Sequence, residues 1–424
     1  MLTNCNKANR KIKNTGDINR NNSIMIIGII GKANVGKSTF FNAATDQSVP
    51  SANYPFTTIQ PNIGISFVRE KCVCREFGIQ DNPIHSLCID GNRFVPIKLI
   101  DIAGLVPGAH LGKGLGNKFL DEARQADALI HVVDASGSTD PEGKVVEKAH
   151  GDPIFDIKFV EEEFDRWILS LINRDWNKIT RDMANQKLKI VQVLTKRLSG
   201  LSVTIDTISN SLLKVGLTNK NPEYWTQEEL LELVKIIRRN SKPLLILANK
   251  ADISSSKDNI KKIKQMNTIV IPCASEAELA LRKGAKKGLW YYLPGDNNFE
   301  IKDINSLNEQ QRKALSIIQS ILDEYGSTGV QDAINTVCFK LLNLIIVFPV
   351  EDEIKLSDKK GNILPNAILL QKGSTAKDLA ANIHQDLAKG FMFAIDVRNK
   401  QRIGADYELK HNDIIKIVSA SSRG

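Results

Sequence analysis

Hydrophobic residues along the chain form short aliphatic runs that are separated by amphipathic stretches. The runs with the length and composition of buried strands are residues 24–30, 95–100, 128–133, 244–248 and 268–271. Buried parallel strands read as nearly continuous apolar runs, and the helices between them read as amphipathic segments. The pattern therefore predicts an α/β core in which a mostly parallel sheet is covered by helices on both faces.

The alternation is interrupted between residues 152 and 240. Phe164, Trp167, Ile168 and Leu171 recur at the spacing of one helix face, and similar faces follow around Leu194 and Val234. This periodicity predicts an all-α insertion between two strands, and we expect a small bundle that packs on its own apolar faces.

The last 80 residues change character again. Short apolar runs at 345–348, 368–370, 391–397 and 414–418 predict strands, and a helix is predicted to open at Ser374-Thr375. The pattern indicates a small α+β module. We expect these segments, in chain order: a basic tail (1–23), a core domain in two parts (24–151 and 241–295), the insertion (152–240), a helical connector (296–344) and the C-terminal module (345–424).

The net charge of the 424-residue chain is +9, which favours an anionic partner without identifying it. Residues 1–23 carry five basic residues and one acidic residue, and their low apolar content predicts disorder. This tail has three interpretations: a solvated tail, an upstream start with Met25 as the true first residue, or an arm that contacts nucleic acid. The sequence contains no long apolar run and no secretory signal, and its six cysteines do not form a disulfide framework. We expect a cytoplasmic protein that does not bind membranes.

A glycine-rich loop follows the first predicted strand. Residues 31–38 read Gly-Lys-Ala-Asn-Val-Gly-Lys-Ser, which matches G-x-x-x-x-G-K-[ST] between a strand and a helix. In such a loop, backbone N–H groups face phosphates, the lysine bridges the β and γ phosphates, and the hydroxyl binds Mg²⁺. The residues expected to contact the nucleotide here are Gly31, Asn34, Val35, Gly36, Lys37, Ser38 and Thr39.

Three further boxes occur in the order that a guanine nucleotide site requires. Asp101 and Gly104 form a D-x-x-G at the end of a strand, where a carboxylate reaches Mg²⁺ and an N–H reaches the γ phosphate. After a later strand, Asn249-Lys250-Ala251-Asp252 supplies an acceptor for guanine N1–H and its 2-amino group, and we expect this acceptor to be buried. Cys273-Ala274-Ser275 would offer a backbone N–H to the guanine O6. These boxes predict a domain that binds GTP or GDP with Mg²⁺.

The boxes and their surroundings resemble the Obg-related GTPases of the translation-factor class. Residues 53–58 look like an Obg-type switch I, and residues 101–117 resemble switch II of the YchF branch. Residues 345–424 resemble a TGS domain, a ubiquitin-like β-grasp, and the helical insertion matches the coiled-coil domain of this branch. The resemblance covers residues 25–424 and implies a P-loop GTPase fold with these two additional domains.

Several roles are implied by this resemblance. Thr58, with Thr57 as second choice, would close on Mg²⁺ and the γ phosphate, so the metal ligands would be Ser38, Thr58 and Asp101. Leu105 stands where many GTPases have a water-orienting glutamine, which groups the chain with GTPases of the hydrophobic-substituted type. His110 matches a histidine proposed to be catalytic in the YchF branch, alongside Lys37 and Thr58; a loop histidine without a chemical role is the alternative. In some of these GTPases K⁺ contacts the asparagine that matches Asn34.

One departure from the family affects the choice of base. YchF proteins of bacteria and eukaryotes have an altered base-recognition box and prefer ATP. The box at 249–252 is intact here, so we expect GTP to bind in preference to ATP.

Two groups of residues outside these boxes have competing interpretations. Cys72, Cys74, His85 and Cys88 could hold Zn²⁺, or they could be ordinary buried or free thiols. Basic residues form one cluster beside aromatic residues (Arg282, Lys283, Lys286, Lys287, Trp290, Tyr291, Tyr292) and a second cluster (Arg238, Arg239, Lys242). These clusters could contact RNA, or they could be solvated helix faces.

The sequence therefore predicts a slow GTPase that acts as a nucleotide-state switch and is linked to the ribosome or another RNA-containing partner. The alternative is a nucleotide-dependent protein-binding adaptor in stress signalling, with incidental hydrolysis. We expect a monomer that does not bind DNA.

Overall fold

The fold was analysed in a computed structural model of the chain. The structure describes residues 24–45, 62–102, 104, 122–146, 150–186, 189–266 and 268–420.

A seven-stranded sheet forms the centre of the core domain. Its strands are β1 Ile26–Ile30, β2 Ile63–Lys71, β3 Leu87–Ile89, β4 Asn92–Asp101, β5 Ala128–Asp134, β6 Leu244–Asn249 and β7 Val270–Pro272. The order is β2-β4-β1-β5-β6-β7, with β3 also paired to β4. The pairs β4-β1, β1-β5, β5-β6 and β6-β7 are parallel, whereas β2 and β3 run antiparallel to β4. The predicted mostly parallel sheet is confirmed.

The structure describes twelve α-helices. They are α1 Lys37–Thr45, α2 Pro153–Asn173, α3 Trp176–Gln186, α4 Ile190–Arg197, α5 Ile205–Val215, α6 Gln227–Ser241, α7 Ser256–Lys264, α8 Ser275–Lys286, α9 Glu309–Tyr325, α10 Val330–Thr336, α11 Ala376–Ile383 and α12 Gln385–Lys389. A 3₁₀ turn covers Val73–Arg75, and a π-helical turn, Val337–Leu341, follows α10.

The insertion between β5 and β6 consists of α2 to α6. We had expected its apolar faces to pack only on one another, but they also pack against the central sheet. Trp167, Ile168 and Leu233 share one buried cluster with Ile30 and Leu129 of the central sheet. The amphipathic stripe was correctly read as helical, but the spacing of apolar residues does not reveal what covers the stripe. The insertion and one face of the sheet therefore form a continuous core.

The opposite face of the sheet is covered partly by residues that we had assigned to a connector. Val330 and Ile334 of α10 lie in the same buried cluster as Ile29 of β1 and Phe40 of α1. The segment 296–344 also contains α9 and the strand β9 Glu300–Ile301, which pairs with β8 Trp290–Tyr291 of the preceding segment in a two-stranded ribbon. Part of this segment is thus core packing, and the domain limits given above stay predictions.

The C-terminal module is a five-stranded sheet with helices against it. Its strands are β10 Leu344–Val350, β11 Ile368–Gln371, β12 Phe391–Asp396, β13 Gln401–Ile403 and β14 Asp413–Ser419, in the order β11-β10-β14-β12-β13. Only the β10–β14 pair is parallel. Helix α11 opens at the predicted place, because Thr375 caps it and forms a capping box with Asp378. Its Leu379 is buried against the sheet together with Ile345 and Ile415.

Candidate nucleotide-binding site

The glycine-rich loop joins the end of β1 to the start of α1. Gly31 has φ 144° and Gly36 has φ 94°, both in the region that favours glycine. A Cβ on Gly31 would lie 2.4 Å from the Val132 carbonyl oxygen, and one on Gly36 would lie 2.3 Å from Asn249 Nδ2. Conformation and space therefore both require glycine at the two positions that the motif specifies.

Lys37 lies at the first position of α1, and its ammonium group turns back over the loop. Nζ donates a hydrogen bond of 2.7 Å to the carbonyl oxygen of Lys32. Burial lowers the pKa of Lys37, while the charge of Asp101 acts in the opposite direction. The loop thus holds a partly desolvated cation close to its own backbone, where it can meet phosphate oxygens.

The second lysine of the loop points away from this position. The side chain of Lys32 is only 3% exposed and forms an ion pair of 2.7 Å with Asp156 of α2. It also donates to the carbonyl oxygens of Thr139 and Asp140, at 3.0 and 2.7 Å. Lys32 therefore ties the phosphate loop to the start of the helical insertion. Sequence reasoning missed this role, because the motif leaves its position unspecified.

Ser38 and Asp101 meet beside the loop, as the motifs predicted. Ser38 Oγ donates to Asp101 Oδ2 at 2.9 Å. Asp101 Oδ1 is buried, and within the described part of the chain no donor reaches it. A hydroxyl next to a carboxylate oxygen that lacks a hydrogen-bond partner fits Mg²⁺, which prefers hard oxygen ligands.

Gly104 of the D-x-x-G box lies close to Lys37. A Cβ built on Gly104 would be 3.4 Å from Lys37 Nζ and 3.5 Å from the backbone nitrogen of Ala33. The box and the phosphate loop thus converge on one small region. Thr57, Thr58, Leu105 and His110 lie outside the described residues, so their roles stay predictions.

Three other predicted residues of the loop and α1 form contacts within the protein. Asn34 has φ 60° and donates through Nδ2 to the Gly143 carbonyl oxygen at 2.9 Å, which leaves its Oδ1 as the atom that could contact K⁺. Val35 is buried in the core. Thr39 Oγ1 donates to Glu276 of α8 at 3.4 Å.

Asn249 links the base box to the phosphate loop. Its Nδ2 donates to the Val35 carbonyl oxygen at 2.9 Å. Its Oδ1 accepts hydrogen bonds from Ser275 N and Ser275 Oγ, at 3.2 and 2.8 Å. One buried side chain thus connects the end of β6, the loop and the start of α8, and this contact gives Asn249 a bracing role.

The backbone N–H groups of residues 273–275 all have acceptors within the protein. Cys273 N donates to the Ala248 carbonyl oxygen and Ala274 N to the Thr328 carbonyl oxygen, each at 2.9 Å. Ser275 N donates to Asn249, as described above. A contact between one of these groups and a guanine O6 would have to share or replace an existing bond, so this role stays a prediction.

Lys250 and Asp252 differ in their surroundings. Lys250, at φ 62°, donates to Asp134 Oδ2 at 2.9 Å and to Ser138 Oγ at 3.0 Å. Burial opposes ionisation of Asp134, but hydrogen bonds from Ser136, Lys250 and Ser138 hold its pKa below the usual value. Asp252 is exposed, whereas we had expected a buried acceptor. Asp252 follows Asn249, the last residue of β6, by only three positions. Its carboxylate therefore lies near the end of this strand, where a bound base could cover it.

His131 lies within β5 and is fully buried. Burial, with a smaller effect from the charge of Lys37, lowers its pKa from 6.5 to about 3. The unfolded chain therefore binds one more proton than the folded chain between these values, and stability falls as the pH falls through this window. From pH 7 to pH 5 this one group should cost about 2 kcal/mol of unfolding free energy. Urea unfolding of the full chain at both pH values measures the loss.

Replacing His131 with leucine should remove most of that pH dependence. The matched control is His85→Leu, because His85 is exposed and its loss should leave the dependence unchanged. Equal slopes for wild type and His131→Leu would show that His131 takes up its proton equally in the folded and the unfolded chain, which would contradict the prediction.

The two basic clusters are not the surface patches that the sequence suggested. Arg238 is 3% exposed and donates to Asp165 Oδ1 at 2.6 Å, and Lys242 is buried against the Arg124 carbonyl oxygen. In the other cluster, Arg282, Trp290 and Tyr292 are buried, and the exposed members are Lys283, Lys286, Lys287 and Tyr291. Three of the seven residues in this cluster and two of the three in the Arg238 cluster are therefore buried. Of the described residues in these clusters, the exposed lysines of the seven-residue cluster and Tyr291 could contact RNA. Arg239 is the one exposed residue of the three-residue cluster.

The cysteine cluster forms, but with a different fourth member. Cys72, Cys74 and Cys88 come together with Asp81, whereas the predicted His85 is not part of the group and is exposed. Sequence spacing alone could not decide which residue of the loop turns inward. The cysteines in the described part of the chain are all free, in agreement with the expectation that they do not form a disulfide framework.

Among the described helices, none has both the length and the apolar composition needed to cross a membrane.

Three protein-family profiles match the chain. Residues 26–196 match 50S ribosome-binding GTPases, residues 247–352 match the G4 motif-containing domain of YGR210-like Obg-like GTPases, and residues 358–419 match the TGS domain. Together these profiles cover the core, the first part of the insertion and the C-terminal module.

Individual relatives match over nearly the whole chain. A GTP-binding protein of Methanocaldococcus jannaschii is 51% identical over 398 residues, which cover 93% of this chain and 99% of the relative. The ribosome-binding ATPase YchF of Bacillus subtilis is 30% identical over 387 residues, 87% of both chains. The crystal structure of a GTP-binding protein from Pyrococcus horikoshii aligns with 93% of this chain and 100% of that chain, with a TM-score of 0.74 and 40% identity.

Proposed function

The chain belongs to the YchF-type branch of the Obg-like GTPases, and from this premise we propose that it is a nucleotide-state switch that acts on the ribosome. As a member of this family it binds a guanine nucleotide and is a GTPase. The finer parts of the proposal are the preference for GTP over ATP, the switching and the partner.

The convergence of Gly104 and Lys37 carries the proposal. A Cβ on Gly104 would come within 3.4 Å of Lys37 Nζ, so the D-x-x-G backbone and the phosphate-loop lysine lie at one place. A γ phosphate there can accept from both groups, whereas a diphosphate does not extend that far. The segment after Gly104 would then be held in the triphosphate state and released after hydrolysis.

The proposed metal ligands are supported by a second contact beside the loop. Ser38 Oγ and Asp101 are 2.9 Å apart, and Thr58 of switch I would complete the protein ligands when GTP is bound. Mg²⁺ at this place supplies positive charge against the β and γ phosphates. Lys37 adds a second positive charge at the γ phosphate, and Asn34 Oδ1 would be the contact for K⁺ if that ion takes part.

For hydrolysis we propose a role for His110, since Leu105 cannot orient water by hydrogen bonding. The imidazole would position the attacking water near the γ phosphate after the segment beyond Gly104 closes.

Both additional domains are connected to the nucleotide site or to its sheet. The Lys32–Asp156 ion pair joins the phosphate loop to α2, the first helix of the insertion. Arg398 of the C-terminal module forms a bidentate pair with Glu76, with both distances 2.7 Å, close to the end of β2. These contacts give two physical routes by which the nucleotide state could reach distant surfaces.

The ribosome as partner rests on two supports. Relatives over most of this chain are named ribosome-binding ATPases, and the chain retains exposed cations at Lys283, Lys286 and Lys287. Cations close together on a surface favour contact with RNA phosphates, with an affinity that falls as salt rises. A ribosome-bound switch would work in the cytoplasm.

Co-sedimentation with ribosomes at low and moderate salt tests this proposal. We expect the fraction of the chain that sediments with ribosomes to be at least about 5-fold higher with a non-hydrolysable GTP analogue than with GDP or without nucleotide. The Lys37→Ala variant is the control, because it should no longer respond to the nucleotide. Equal binding in all nucleotide states would refute the switch, and no binding in any state would favour the adaptor interpretation.

A further inference from the structure

Four potential metal ligands meet at the edge of the central sheet. Cys72 directly follows β2, Cys74 lies in the 3₁₀ turn, Cys88 lies in β3, and Asp81 lies in the loop between them. Strands β2 and β3 both pair with β4, so the sheet itself brings the two ends of this segment together. One ligand atom from each of the four residues lies within 4.8 Å of all the others.

Two distances within this group are close to those around a single tetrahedral ion. Cys74 Sγ and Cys88 Sγ are 3.7 Å apart. Two sulfur ligands at zinc–sulfur distances of about 2.3 Å in a tetrahedron lie about 3.8 Å apart. Cys72 Sγ and Asp81 Oδ2 are 3.2 Å apart, slightly closer than the spacing of about 3.6 Å that a sulfur and an oxygen ligand adopt around zinc. Such compact ligands leave room for one ion and not for a cluster of metal atoms.

Arg93 contributes charge balance to the group. Its guanidinium is fully buried and donates to Asp81 Oδ2 at 2.6 Å and to Cys72 Sγ at 3.4 Å. Three thiolates and one carboxylate carry four negative charges, which a divalent ion reduces to two and Arg93 to one. A buried cation that hydrogen-bonds to two of the ligands would both orient them and favour their deprotonated forms.

We propose that Cys72, Cys74, Asp81 and Cys88 bind one structural Zn²⁺ ion. Thiolate ligands select for zinc over the hard cations Mg²⁺ and Ca²⁺, and four protein ligands complete a closed tetrahedral site. Cys72 and Cys74 are buried, the Asp81 side chain is 6% exposed and Cys88 is partly exposed, so the ion would be shielded from solvent on most sides. This site is separate from the nucleotide site and uses none of its residues.

The zinc site lies against the C-terminal module. Within the loop that carries Asp81, Asn82 N donates to the Ile363 carbonyl oxygen at 3.1 Å and Ile84 N to the Pro365 carbonyl oxygen at 2.8 Å. Arg93 Nη1 donates to the Leu364 carbonyl oxygen at 3.1 Å. Cys72 and Cys74 also share an apolar cluster with Phe348, Leu364 and Ile414 of the module.

The proposed ion would therefore order the surface of the core domain on which the C-terminal module rests. The loop from 76 to 86 has little regular structure of its own, and the ligand Asp81 lies in its middle. Holding Asp81 to the two ends of the segment would fix the backbone groups that pair with residues 363–365. Zinc would thus stabilise the contact between the two domains without touching the nucleotide.

Metal analysis of the full chain, purified from zinc-supplemented medium without chelators, tests the site. We expect one zinc per chain, and after replacement with Co²⁺ we expect the sulfur-to-cobalt charge-transfer absorption of a tetrahedral thiolate site. Asp81→Ala and Cys88→Ala should lose the metal. The matched controls His85→Ala and Cys338→Ala remove an exposed histidine and a buried thiol elsewhere, and both should keep it.

Hydrogen exchange gives a second measurement that does not depend on stable variants. Chelation of zinc from the wild-type chain should speed exchange at Asn82 and Ile84, while the amides of β1 remain protected. Any of three results would overturn the proposal. The first is a wild-type chain without stoichiometric zinc, and the second is a Cys74–Cys88 disulfide in freshly purified protein. The third is zinc that is lost from His85→Ala and retained by Asp81→Ala.

Discussion

Replacing Lys37 with alanine is expected to slow GTP hydrolysis by about 10²- to 10³-fold, since one preorganised charge donor at the reacting phosphate is removed. Lys37 Nζ lies over the phosphate loop, bonded to the Lys32 carbonyl oxygen, and next to Gly104. Its lowered pKa shows that burial opposes its charge, so removing it should not destabilise the empty fold. Single-turnover release of phosphate measures the rate, and urea unfolding measures the stability.

Lys32→Ala is the matched variant, because it removes the other lysine of the same loop. It leaves Asp156 buried without its cation, which should lower the unfolding free energy by about 3–5 kcal/mol. Burial raises the pKa of Asp156 and Lys32 opposes that shift, so the loss should be largest at neutral and higher pH. A double variant, Lys32→Met with Asp156→Leu, replaces both charges of the pair with apolar side chains and should recover part of the stability that Lys32→Ala loses. The distinction between the two lysines would be wrong if Lys32→Ala lost hydrolysis without losing stability.

The second large effect is expected at Asp252. We expect the wild-type chain to bind GTP at least about 10²-fold more tightly than ATP, because adenine offers no pair of donors to this carboxylate. Asp252→Asn should remove most of that preference, since an amide places a donor against the N1–H or the 2-amino group of guanine. Competition between a labelled guanine nucleotide and unlabelled GTP or ATP measures the ratio.

Two controls separate base recognition from general damage. Asp258→Asn changes an exposed carboxylate of α7 and should leave the ratio unchanged. Asp252→Asn should bind xanthosine triphosphate better than wild type does, because xanthine presents a carbonyl oxygen where guanine has its amino group. Tighter binding of ATP than of GTP by the wild-type chain would contradict the assignment of the base box.

Motifs that act through local backbone shape were readable from the sequence. The loop from Gly31 to Ser38 needs glycine where φ is positive, and it needs a strand before it and a helix after it. Asp101 was assigned from its place at the end of a strand, and it does meet Ser38. In parallel sheets the ends of successive strands come together at one edge, so order along the chain was enough to predict which boxes share a site.

Which side of an element faces inward was harder to read. Arg238 and Trp290 were interpreted as part of basic and aromatic surface patches, yet both are buried. A helix or loop with charges on several sides has no single apolar stripe that would show which side is buried. A buried arginine such as Arg238 is recognisable only when its partner, here Asp165, is known. The spacing of the cysteines also pointed to His85 as the fourth member of their group and missed Asp81, because that outcome depends on how an irregular loop folds over β3.

The sequence by itself determined the class of the core and the module at the C-terminus, and it located the boxes that are predicted to bind phosphate, Mg²⁺ and base, because each depends on a short local pattern. Only the tertiary structure decided that Lys32 braces α2 while Lys37 turns back over the loop. It also decided that the insertion shares a core with the sheet and that Asp81 completes the cysteine group. These features depend on pairs of residues far apart in the chain, and a single sequence does not record which distant residues meet.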